Sequence, residues 1–151
     1  MKQLPEKYII VEIIPTALTK EKGDIIELTA LKLSGLKLEE RFNYRLNELK
    51  IPLQDFIKLI SYDKHLFTYK ESTDEILDEF EKWSENLPLL IIDNAYTKNF
   101  LSDLTNDKKS IFQYFDKEYH DQIIEELIKE YQIEPTNYIV DVLYECLIKK
   151  M

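Results

Sequence analysis

The 151-residue chain is short of several things, and each shortage removes a class of function. It has one cysteine, Cys146, so no internal disulfide can form, and a cytoplasmic location is expected. Two glycines are too few for the Gly-rich loops that bring backbone N–H groups up to nucleotide phosphates. Basic residues are in deficit: 20 Lys and Arg stand against 29 Asp and Glu, a formal net charge of −9. Holding nucleic acid by bulk electrostatics needs clustered Lys and Arg, so the charge argues against that mode and leaves open a small positive patch or a metal-bridged contact. No apolar run approaches the roughly 18 residues needed to span a bilayer. No signal peptide is visible, because Glu12 breaks the first apolar run. No membrane partner is expected.

What is present is enough for a core. Hydrophobic residues make up 44% of the chain, and its length predicts one domain over 1–151. Residues 7–14 are β-branched and aromatic and predict a buried strand ending before Pro15, with Glu12 its one interrupting acid. Residues 25–33 and 36–46 predict two more strands, joined at Ser34-Gly35. Short connections make these three an antiparallel meander. Residues 51–60 predict a short helix with Leu53, Phe56, Ile57 and Ile60 inward, followed by a polar, aromatic loop. Ser72-x-x-Glu75 is a capping-box pattern that opens an amphipathic helix to about Asn86, with Ile76, Leu77, Phe80 and Trp83 at helical spacing.

The unbroken run 89–92 predicts a central strand of the parallel type. Asp93-Asn94 then reads as a turn and helix N-cap. Helices are predicted over 95–104, 117–131 and 136–150, with a fifth, short strand within 108–115. The expected architecture is an α/β fold: a five-stranded mixed sheet, meander first and parallel-type strands after, flanked by helices.

Four segments in this order resemble the 3'-5' exonuclease family of the ribonuclease H-like fold, the group of proofreading subunits and ribonuclease T-like enzymes. VEIIPTAL (11–18) stands where that family has D-x-E-T-T-G-L, and DIIELTALKL (24–33) stands at its I-I-E-I-G-A-V strand. LLIIDNAYTKNFL (89–101) is similar to L-V-A-H-N-A-x-F-D-x-x-F-L. EPTNYIVDVLYECL (134–147) is similar to the last helix, which carries H-x-x-x-x-D. The resemblance covers roughly residues 7–150. It implies hydrolysis of phosphodiesters by two divalent ions about 4 Å apart, clamping the attacking and leaving oxygens. Four acids and a histidine general base would supply that site.

Carried over position by position, the resemblance places the first acid on Glu12 and the second on Ile14, which cannot ligate. The third falls on Thr97, set between Tyr96 and Phe100-Leu101. The histidine falls on Thr136, and the last acid is retained as Asp141. Hard cations need several carboxylate oxygens at one point. Two acids and no base predict no two-metal centre and no cofactor, with Glu12 and Asp141 as vestigial metal ligands.

The first functional expectation is therefore a catalytically degenerate exonuclease fold that acts by binding a nucleic-acid end or a protein. The alternative is an active, divergent 3'-5' exonuclease on single-stranded DNA or RNA ends. It would use magnesium or manganese at a rebuilt site of Glu12, Asp93 and Asp141, with His120-Asp121 available as a relocated base. A third reading is an assembly or regulatory subunit. Against these stand simpler readings. Glu12 is then a solvent-accessible strand end, Asp141 a polar-face residue, and Glu27 structural. His65 and His120 are surface histidines, and Cys146 is buried and inert. Tyr62, Phe67 and Tyr69 lie among Lys64 and Lys70, either to stack bases or to give a long loop its own small core. The acidic runs at 71–85 and 116–130 read as solvated helix faces.

Overall fold

A strand buried on both faces must be apolar at consecutive positions, and KYIIVEIIP is. It forms β1, Lys7–Pro15, the middle strand of the sheet. The computed structural model describes residues 3–15, 19, 23–45, 73–135 and 138–151. β2 (Ile25–Ser34) pairs antiparallel with β1, and β3 (Lys37–Arg45) pairs antiparallel with β2. β4 (Leu89–Ile91) and β5 (Lys108–Ser110) extend the other side of β1 in parallel. The order is β3-β2-β1-β4-β5. The expected meander and the parallel central strand are both there.

The period of two splits β1 between two cores. Tyr8 and Ile10 point to one face, where Leu31, Leu33 and Leu90 join them under helices α3 (Ile123–Tyr131) and α4 (Ile139–Lys150). Ile9, Val11 and Ile13 point to the other, against α1 (Thr73–Ser84) and α2 (Ala95–Phe100). The result is three layers, helices on both sides of the sheet.

The acidic run on α1 is a solvated face, with Ile76, Leu77 and Phe80 buried beneath it. Phe80 meets Phe42 of β3 with ring centroids 5.5 Å apart and Trp83 at 6.0 Å. Lys32 of β2 fastens the C-terminal end of the same helix. Its ammonium donates to the Trp83 carbonyl at 2.6 Å and to Glu85 at 2.9 Å, pairs with Glu40 at 3.0 Å and lies 4.4 Å from the Trp83 ring centroid. A cation at the carbonyl end of a helix also meets the favourable end of its dipole.

The β2–β3 turn needs a left-handed residue, and Gly35 supplies it with φ of 61°. Two tyrosines hold that turn from below: the Tyr8 hydroxyl donates to the Gly35 carbonyl at 2.7 Å, and the Tyr144 hydroxyl to the Leu36 carbonyl at 2.8 Å. Beyond the turn β3 carries one extra residue. Leu33 pairs with Leu38 and Lys32 with Glu40, so Glu39 is bulged out.

Two expectations are corrected. The helix expected over 117–131 starts at Ile123. Before it, a 3-10 turn over Ile111–Phe115 ends at Asp116, whose φ of 55° breaks helical continuation. Residues 117–122 then run as a loop whose Lys117 and His120 side chains both reach Glu126. That helix stops at Tyr131 as expected, before Pro135, where Gln132 is left-handed with φ of 54°. The helix expected to 104 ends at Phe100, although Leu101 and Leu104 are buried as expected. The expected helix at 51–60, the aromatic loop with Tyr62, Lys64, His65, Phe67, Tyr69 and Lys70, and the Ser72 cap lie outside the described residues. Among the described residues no helix is long and apolar enough to cross a membrane.

Candidate functional site

Glu12 shares the α4 side of β1 with Tyr8 and Ile10, and it is only 7% exposed. The expected solvent-accessible strand end is therefore a buried carboxylate. Its partner comes from another element. The backbone N–H of Ile139, in the first turn of α4, donates to it. The α4 N-cap residue, Tyr138, makes no side-chain capping bond, so Glu12 fills that role from across the core. Burial pushes the Glu12 carboxyl up to about 7, the negative charges of Glu27 and Asp141 add to the rise, and the Ile139 N–H opposes it.

Ile14 lies two residues on, on the same face, half-buried and opposite Glu27 in the ladder. Thr97 is buried in the first turn of α2, where its N–H donates to the Asn94 side chain at 3.0 Å. The expected N-cap is thus Asn94. Replacing it with Ala is expected to cost about 1 kcal/mol, read as a lower urea midpoint with an unchanged slope. Asp141 follows Ile139 by two residues and accepts a hydrogen bond from Arg41 of β3. Thr136 lies outside the described residues.

Glu12 and Thr97 line one cavity of about 140 Å³, together with Asn94, Tyr96, His120 and Ile139. Asp141 lies close enough to raise the Glu12 carboxyl but does not line that cavity. Asp93 belongs elsewhere. It accepts from Ser110 at 2.9 Å and opens on a second cavity of about 470 Å³ with Lys98 and Lys117. Glu12, Asp93 and Asp141 are therefore not gathered at one point. Among the described residues, no group of three His, Cys, Asp or Glu is placed to hold a metal ion. One acid bonded to a helix N-terminus, one bonded to a guanidinium, an isoleucine and a threonine do not fit a pair of magnesium or manganese ions.

His120 reaches the cavity, but both of its nitrogens are engaged. Nδ1 accepts from the Gln122 N–H at 3.3 Å, so the neutral ring carries its proton on Nε2, 2.8 Å from Glu126. No lone pair is left for activating a water in this arrangement. Cys146 is fully buried and its thiol is pushed up to about 11, which makes it inert. Sequence reading missed Arg41, Asn43 and Tyr138. Their one signal is the i, i+2 spacing of Arg41 and Asn43, which puts both on the face of β3 toward α4.

Exonuclease X, in complex with 5' overhanging duplex DNA, superposes with a TM-score of 0.66 over 95% of this chain and 89% of its own, at 9% identity. The chain has the 3'-5' exonuclease fold. A 3'-exonuclease described for 3'-end specific recognition of histone mRNA stem-loop gives 0.65 over 99% of this chain and 80% of its own, at 15% identity. E. coli exonuclease I in complex with a dA16 oligonucleotide gives 0.61 at 10% identity, and the chain spans 41% of that protein's length. No family model and no curated protein sequence matches the chain. At these identities the exonuclease fold is what is shared, and the site has to be read from its own residues.

Proposed function

We propose that this is an exonuclease-fold protein without two-metal hydrolysis, acting through binding. The observation that carries the reading is the state of Glu12. The acid that the fold offers first for metal binding is buried, charge-suppressed and committed to the N-terminus of α4. Thr97 and Ile14 supply no carboxylate beside it. The ligand is a nucleic-acid end or a protein. The net charge of −9 favours the protein, since phosphates gain little from so acidic a surface. We place the protein in the cytoplasm, in keeping with its single buried thiol.

The test is direct. Single-stranded DNA and RNA carrying a labelled end are incubated with the protein and magnesium or manganese. The expected result is intact substrate, with no heat on calorimetric titration of either ion at millimolar concentration. A gel shift at low salt that vanishes at moderate salt is expected for any nucleic-acid contact. Degradation by the wild type that Glu12→Ala abolishes would establish the active alternative instead.

A further inference from the structure

We infer that Arg41 serves, as a fixed part of the fold, as the counter-charge at Asp141 that a divalent ion would otherwise provide. The inference rests on the metal-free reading above and deepens it.

The first turn of α4 is tied to the sheet at two places. On the β1 side, the Glu12 carboxylate accepts from the Ile139 N–H. On the β3 side, Arg41 Nη2 donates to Asp141 Oδ1. Arg41 is opposite Leu31 and Asn43 opposite Thr29, so both side chains share the α4 face. The guanidinium carbon lies 5.8 Å from the Tyr138 ring centroid, and Asn43 donates to the Tyr138 hydroxyl at 3.4 Å. Tyr138 thus lies against the arginine that neutralises Asp141.

The need for a cation follows from the acids. Glu12 and Asp141 repel each other, and Glu27 adds like charge to Glu12. A divalent ion would relieve that repulsion by sitting between carboxylates. A guanidinium relieves it at Asp141, keeps its charge at every physiological pH and has the planar fork that fits a carboxylate. An incoming ion would have to displace it from Asp141 first. The same side chain therefore stabilises Asp141 and keeps ions away from it.

The experiment compares wild type, Arg41→Lys, Arg41→Gln and the double variant Arg41→Gln/Asp141→Asn by thermal unfolding. Each is measured at mildly alkaline pH in a chelator and in millimolar manganese. Arg41→Gln is expected to melt lower in chelator and to recover in manganese. Arg41→Lys is expected to stay near wild type and ignore manganese. The double variant is expected to regain part of the loss in chelator and also ignore manganese, because the repelling charge is gone. If Arg41→Gln is unfolded in chelator, refolding on addition of manganese, followed by Trp83 fluorescence, is the same positive result. An Arg41→Gln protein indifferent to manganese, or a double variant that responds equally, overturns the inference. A wild type that melts higher in manganese strikes the metal-free reading instead, so the two failures are distinguishable.

Discussion

Glu12→Gln is expected to make the protein more stable than wild type above neutral pH and to flatten its pH dependence. The sign follows from the direction of the shift. Burial, then Glu27, raises this carboxyl from an ordinary 4.5 to about 7 in the folded chain. A group whose folded pKa is raised contributes stability that is fully present below its unfolded value. That stability is lost as pH climbs through the folded value. Between about pH 4.5 and 7 the wild type therefore weakens, because the unfolded chain releases a proton that the buried acid still holds. At roughly 1.4 kcal/mol per unit, the full loss is about 3 kcal/mol. Glutamine keeps a carbonyl oxygen for the Ile139 N–H and carries no charge to desolvate. Urea unfolding of both proteins at about pH 5 and about pH 8 reads the difference directly. Curves that run parallel across that window would show that Glu12 is solvated and would remove the main support for the binding-only reading.

Phe80→Ala is expected to cost about 3–5 kcal/mol, as large aromatic-to-alanine changes in closed cores do. Phe80 is wholly buried and joins α1 to β3 through Phe42 and to Trp83 beside it. A loss of that size lowers the melting temperature by on the order of 10 °C in a chain of this length. Trp83 is the single tryptophan and packs on Phe80, so its emission reports the change locally. The Glu12 cavity lies at the end of β1, where residues of both faces line it, and neither Phe80 nor its ring partners Phe42 and Trp83 are among them. Any ligand binding measured well below the melting temperature should survive the substitution. A variant that melts with the wild type would mean that this core refills the space, and loss of binding without loss of fold would mean that the Phe80 core and the cavity are coupled.

The strands were legible because their signals are local. The run in β1 needs both faces covered, and the Ser34-Gly35 turn forces the meander. Only the first six residues of the helix expected over 117–131 are not helical: Tyr119 packs on Phe112, and the Lys117 and His120 side chains anchor this loop to Glu126. Local propensity carries no record of such contacts. At the site, the resemblance pointed to Glu12 and Thr97, which do share a cavity. It gave no hint of Arg41, whose partner Asp141 lies 100 residues further along the chain. Nor did it show that a main-chain N–H of α4 occupies Glu12, since backbone donors leave no trace in the side-chain pattern.

The bulged Glu39 has a consequence for how this hairpin can vary in length. It sits between the turn and Arg41, so it separates the half of the strand that closes the hairpin from the half that addresses α4. Changes on the turn side can be absorbed by reshaping the bulge. Removal of Phe42 cannot be absorbed, because Arg41 and Asn43 would become neighbours and neighbours in a strand face opposite ways. Related chains that keep both contacts to α4 should therefore differ in length before Arg41 and hold constant spacing after it.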